Sequence, residues 1–141
     1  MNDEQTQVPE VDVVDAEVEV AETEVVEGVT AGKTMISYDD FAKLDIALGV
    51  ITSVEVVKDA DKLLRLVVDF GTEERQIISG IREYFEDVQS IVGKQCPFLV
   101  NLEPRTIRGL ESQGMILAAE NDGVFALLNP HNELPAGTRV N

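Results

Sequence analysis

The chain has 141 residues and a mass of 15.4 kDa, enough for one ordinary domain with length to spare. Eleven Lys and Arg stand against 27 Asp and Glu, a net charge of −16, which argues against a histone-like protein held to DNA by bulk charge. One cysteine, Cys96, excludes an intrachain disulfide framework and a cysteine-rich zinc site, and one histidine, His131, leaves few ways to build a His-centred site. No metal or cofactor is expected. The N-terminus lacks a signal-peptide layout, and no apolar run approaches the roughly 18 residues of a membrane span. The expectation is a soluble, cytoplasmic protein with neither a membrane nor DNA as partner.

Charge is concentrated at one end. Residues 1–33 hold ten acids and one base, Lys33, a net −9 that leaves −7 for residues 34–141. This segment is a Val/Glu/Ala/Thr tract without Phe, Leu, Ile, Tyr or Trp. Val18-Glu19-Val20 alternates like a strand, but so little apolar variety among so many glutamates cannot offset the entropy of ordering. The reading is a disordered acidic tail over 1–33, with Gly28 and Ala31-Gly32-Lys33 as a hinge into a domain over 34–141.

From residue 34 onward the pattern is mostly strands. Ser37-Tyr38-Asp39-Asp40-Phe41 predicts a short helix through about Leu44. Ile46 to Val57 is a long β-branched run, and Gly49 inside it suggests a bulge or bend. Lys58-Asp59-Ala60-Asp61 reads as a turn before a strand over Leu63–Phe70, and Gly71-Thr72 turns the chain into Arg75–Ser79. A short helix is expected around Ile81–Phe85, with Glu86–Gly93 crossing one end. Further strands are expected at Phe98–Leu102, Met115–Ala119 and Val124–Leu128, the last two joined at Asn121-Asp122-Gly123. Five to six short strands with minor helix point to an all-β OB-fold barrel; a small β-sandwich is the structural alternative.

Few residues suggest chemistry. Asp69-Phe70-Gly71 looks like the kinase metal-binding tripeptide, but the chain has no glycine-rich phosphate loop and reads there as a strand-end turn. Cys96 precedes Pro97 at the head of an apolar run and reads as a buried hydrophobe. His131, in Asn129-Pro130-His131-Asn132, reads as a solvated loop residue. The acid pairs Asp39-Asp40, Glu73-Glu74 and Glu86-Asp87 read as solvated faces. No set of nucleophile, base and oxyanion-hole donors emerges, so no catalytic residue is assigned.

The informative stretch is Asn101 to Met115. Arg105 and Arg108 stand three apart in a Pro- and Gly-bounded loop, where they can fork onto phosphates while Asn101, Ser112 and Gln113 offer hydrogen bonds. The same arginines can equally be structural, paired to Glu103 or Glu111.

Five segments together resemble a known family. They are Asp40-Phe41-Ala42-Lys43-Leu44-Asp45-Ile46, Ala60-Asp61-Lys62-Leu63-Leu64, Ser79-Gly80-Ile81, Asn101-Leu102 with Pro104-Arg105, and Gly109 to Met115. In this order they resemble the tRNA-binding domain at the C-terminus of bacterial methionyl-tRNA synthetases, shared by free-standing structure-specific tRNA-binding proteins. The resemblance implies an OB fold, a homodimer formed partly through Val124–Val140, and tRNA as partner. It also implies an auxiliary role beside a catalytic subunit of methionyl-tRNA synthetase, which performs aminoacylation. By the same resemblance Lys62, Arg105 and Arg108 would meet phosphates, Asn101 and Ser112 would hydrogen-bond, and Met115 would pack beside a base, with ordinary core as its alternative.

Three basic positions of the family are missing, replaced by Ala47, Glu103 and Thr106. At a phosphate-binding position, each missing cation lowers affinity and the salt slope. This favours weak binding assisted by a partner that already holds the tRNA. Secretion-associated chaperone-like relatives share the barrel, so a protein-interaction dimer without RNA is the alternative function.

Overall fold

The computed structural model describes residues 32–141. The chain divides into two units, Met1–Ser37 and Tyr38–Asn141. Of the first unit only residues 32–37 are described, and they contain no helix or strand. The expectation of a disordered tail therefore lies almost wholly outside the described residues.

The second unit opens with one helical turn, α1 (Tyr38–Ala42), and continues into the longest strand, β1 (Ile46–Val56). Antiparallel β2 (Leu64–Asp69) and β3 (Glu74–Ser79) follow. Two 3-10 turns, Arg82–Tyr84 and Val88–Ile91, lead to β4 (Gln95–Leu99). A hairpin of β5 (Arg105–Ile107) and β6 (Leu110–Ser112) precedes β7 (Met115–Ile116), and a second hairpin joins β8 (Ala118–Asn121) to β9 (Val124–Leu127). Last comes β10 (Arg139–Val140).

The main sheet runs β3-β2-β1-β4-β7, with β10 added to β1. β1 carries the architecture because its two halves have different partners. Ile46–Val50 pairs with β4, whereas Val50–Val56 pairs with β2 across a register shift between Ile51 and Ser53. That bulge bends the strand and curls the sheet into a half-barrel. Mostly strands with one minor helix is what the sequence predicts.

Gly49, however, is not the bulge. A Cβ there would run into Cγ1 of Val68 and Cε1 of Phe70, so glycine is required by close packing, while the bulge forms at the β-branched and hydroxyl residues just beyond. The strand expected at Phe98–Leu102 lies earlier, at Gln95–Leu99, and the one expected at Met115–Ala119 is broken at Leu117 into β7 and β8. The helix expected around Ile81–Phe85 is a 3-10 turn.

Inside the curl, residues of β1, β2, β3 and β4 make the core, with strict alternation along β2. Ile51, Leu64, Leu66, Val68, Ile77 and Phe98 are each fully excluded from solvent. Phe70 meets Phe98 edge to face with centroids 5.5 Å apart, a geometry that adds to their burial. Full burial of such side chains contributes roughly 1.5–3 kcal/mol each.

The seam between β3 and β7 is bridged by the chain approaching β7. The Gln113 N–H donates to the Gln76 carbonyl at 2.8 Å, and the Gln113 side-chain oxygen accepts from the Gln76 N–H at 3.0 Å. Arg75 reaches across the same seam to the carbonyls of Val100 and Gln113. At the far end of the chain, Arg139 makes an ion pair with Asp45 at 2.7 Å, holding β10 against the start of β1.

Candidate nucleic-acid interface

The stretch read from sequence as a loop is a hairpin. Ile107 pairs with Leu110, leaving a two-residue turn of Arg108 and Gly109 at φ 53° and 80°. Positive φ at both central positions is the turn type that fits the twist of an antiparallel pair. The hairpin runs beside β3, and the Gln76 side-chain amide donates to the Glu111 carbonyl at 2.8 Å.

Its tip reaches the turn between β1 and β2. Arg108 Nη1 donates to the Asp59 carbonyl at 3.3 Å. Lys62 lies in that same turn, exposed and without a side-chain partner among the described residues. The contact therefore brings Arg108 and Lys62, far apart in sequence, to one edge of the half-barrel. Arg105, at the base of the hairpin, is exposed and likewise forms no ion pair among the described residues. Neither arginine is paired to Glu103 or Glu111 among the described residues, although Arg108 is held within the chain by the Asp59 carbonyl.

Beside Arg105 lies a cleft of about 80 Å³, floored by Ile78 and lined by Leu102, Ile107 and Met115. Met115 is 44% exposed and so faces this cleft and not the core, which removes the core alternative for it. Gly114, behind it, has φ 155°, and a Cβ there would sit 2.9 Å from the Leu99 carbonyl oxygen.

Two other expected contact residues are engaged with the chain itself. Ser112 is only 5% exposed; its hydroxyl accepts from the Ile78 N–H at 3.0 Å and donates to the Gly114 carbonyl at 3.2 Å. Asn101 accepts from the Asp45 N–H at 2.9 Å and donates to the Lys43 carbonyl at 2.7 Å, tying the end of α1 to the segment after β4. Both hold the surface in shape, and Asn101 remains exposed beside the cleft residue Leu102.

Of the three missing bases, Ala47 is 1% exposed and packs in the core, so a cation at this position would not stand on the surface of this chain. Glu103 and Thr106 are exposed, and Glu103 lines the cleft.

Elsewhere the bland readings hold. Asp69 accepts from the Gly71 N–H at 2.8 Å in a strand-end turn, and His131 is exposed. Cys96 is fully buried, and burial pushes its thiol up to about 11. Its sulfur takes an amide hydrogen of Asn129 at 3.7 Å, with no histidine beside it. Among the described residues no group of His, Cys, Asp and Glu could hold a metal ion, and no helix is long and apolar enough to cross a membrane.

A curled antiparallel half-barrel, with exposed cations on one hairpin and a small apolar cleft beside Arg105, is the build of a small nucleic-acid-binding β module. Residues 46–139 match the family described as putative tRNA binding domain, and the chain belongs to that family. It is 47% identical over 107 residues to a methionine–tRNA ligase of Deinococcus radiodurans, covering 75% of this chain and 16% of the ligase. The chain thus spans about a sixth of the length of that relative. Among solved structures it resembles a methionyl-tRNA-synthetase-related protein from Pyrococcus horikoshii, with a TM-score of 0.72 and 38% identity over 77% of this chain and 99% of that one. It also resembles the chaperone CsaA of Bacillus anthracis, with a TM-score of 0.69 and 29% identity over 77% of this chain and all of the other.

Proposed function

We propose that the chain is a tRNA-binding auxiliary of methionyl-tRNA synthetase, encoded apart from the catalytic subunit and without chemistry of its own. The observation that carries this reading is the Arg108–Asp59 contact, which gathers Lys62 and Arg108 on the edge that also presents Arg105. Three cations without acidic partners are free to neutralise phosphates despite the acidic balance of the whole chain, because salt screens distant charges within about 8–10 Å. Asn101 and Ser112 shape the surface from behind, and Met115 offers an apolar contact to a base. Raising the tRNA affinity of a catalytic partner requires only weak binding here, since linked sites gain from effective concentration.

The test is tRNA binding by the full chain across a salt series, with Arg105→Ala/Arg108→Ala in parallel. The expected result is a log–log slope that shrinks by roughly 0.7–0.9 for each phosphate no longer neutralised. A folded protein that binds no tRNA at low salt, alone or with the catalytic subunit of methionyl-tRNA synthetase, overturns the reading.

Dimerisation through residues 124–140 belongs to the same proposal. It is supported by a cleft of about 310 Å³ lined by Leu48, Pro97, Leu128, Leu134 and Val140, of which Leu128, Leu134 and Val140 are exposed. That apolar cleft is also what favours the second reading, a chaperone-like dimer. Sedimentation of the full chain, followed by tRNA titration of the species found, separates the two: a dimer that binds no tRNA favours the chaperone.

A further inference from the structure

The cleft over Ile78 holds an acid beside its one cation. Glu103 lines it together with Arg105, Leu102, Ile107 and Met115. Glu103 is exposed and joins no ion pair or hydrogen bond among the described residues. On a surface that met only phosphates, a free carboxylate next to Arg105 would repel the ligand. An ionised carboxylate is acceptor-only, with two oxygens able to take two donors side by side.

RNA supplies neutral N–H donors on its base edges. Guanine alone sets two of them, N1–H and N2–H, next to each other on the Watson–Crick edge, the arrangement two carboxylate oxygens match. Cytosine, adenine and uracil each offer a single donor group there. The cleft is small, about 80 Å³, and suits part of a single base better than a base pair. Its apolar lining of Leu102, Ile107 and Met115 suits a ring face, and Arg105, which also lines it and forms no ion pair among the described residues, is available to a phosphate.

We propose that this cleft reads an unpaired guanine of RNA, with Glu103 accepting from the base edge, Met115 and Leu102 against the ring, and Arg105 on the phosphate. The proposal rests on the tRNA-binding reading and adds a base preference to a surface that otherwise follows the backbone.

The experiment titrates the full chain with four labelled oligoribonucleotides, UUXUU with X as G, C, A or U, and in parallel with unfractionated tRNA. UUGUU should bind roughly tenfold more tightly than the other three. Glu103→Gln, which keeps one acceptor oxygen, should reduce that preference to about twofold. Glu103→Lys should tighten binding of all four and of tRNA while abolishing the preference. Because Glu103 is exposed, both variants should melt with the native chain. Equal binding of the four, a preference for another base, binding of tRNA but of no oligonucleotide, or an undiminished guanine preference in Glu103→Gln each overturns the guanine site. In all four cases retained tRNA binding leaves the tRNA reading standing; absence of tRNA binding, both alone and with the catalytic subunit of methionyl-tRNA synthetase, removes that reading and this one with it.

Discussion

Arg108 and Asp59 are 49 residues apart, yet the guanidinium of one donates to the main-chain carbonyl of the other at 3.3 Å. Both occupy left-handed backbone, at φ 53° and 63°, where a residue other than glycine is held at a cost. Two tight turns from distant parts of the chain thus meet tip to tip, and the contact sets where the cations of the binding edge stand.

Replacing Arg108 by Asn separates the two consequences of that position. Asn-Gly is the favoured pair for this turn, so Arg108→Asn should leave stability unchanged or raise it by up to about 1 kcal/mol, measured by urea unfolding. The tRNA affinity of the same variant should fall, with a smaller salt slope. A variant that binds tRNA like the native chain would show that Arg108 meets no phosphate.

Ser112→Ala is expected to act in the opposite way. Removing the hydroxyl leaves the buried Ile78 N–H without its acceptor, a destabilisation of about 1–3 kcal/mol. The variant should unfold at lower denaturant, and at temperatures where it stays folded its tRNA affinity should match the native value. A lowered affinity in the folded variant, with the salt slope unchanged, would mean that Ser112 touches RNA directly.

Cys96 makes stability depend on alkaline pH. Its thiol, ordinarily near 9.0, is pushed up to about 11 by burial, so the folded chain holds this proton where the unfolded chain releases it. Stability from this source is complete below pH 9 and is lost progressively between pH 9 and about 11, to an extent of roughly 2–3 kcal/mol. Cys96→Ala should flatten that decline in denaturation curves taken across the window. In the native chain, thiol reagents at pH 8 should label Cys96 only as fast as the protein opens.

Gly137→Ala tests the return of the chain onto β1. Gly137 has φ 91°, and a Cβ there would collide with the Phe70 carbonyl oxygen. Its N–H also donates to the Leu48 carbonyl at 2.7 Å. Strain and clash together should lower the melting temperature by several degrees, about 4–8 °C per kcal/mol for a domain of this size. An unchanged melting temperature would mean that this segment contributes nothing to the fold.

Where the sequence was legible, one local signal sufficed. Asn121-Asp122-Gly123 announced its hairpin, and the structure gives Asp122 and Gly123 positive φ, with the Glu120 carboxylate accepting from the Gly123 N–H at 2.9 Å. The hairpin over Arg105–Ser112 escaped because its turn is Arg-Gly in place of Asn-Gly and each strand has only three residues. β4 escaped in part because Pro97 lies inside it, and proline argues against a strand between two neighbours. There it is tolerated because its carbonyl, which needs no N–H, accepts from the Leu117 N–H at 3.1 Å. Among the candidate site residues, charge and loop position singled out Arg105 and Arg108, whereas Lys62 came only from the family resemblance. The occupied hydrogen bonds of Asn101 and Ser112 depend on partners 34 to 58 residues away, which no local pattern encodes.

The pairing of Val140 with Ile46 fixes the order in which the molecule can be assembled. β1 is among the first parts of the domain to leave the ribosome, but one of its edges waits for the last strand. Through the synthesis of everything between, that edge is open to another chain, as unpaired strand edges are in any slow, non-local β topology. β2, which follows after a short turn, covers β1 only from Val50 onward, so anything that slows the arrival of residues 137–140 lengthens the time Ile46 and Ala47 are exposed to mispairing.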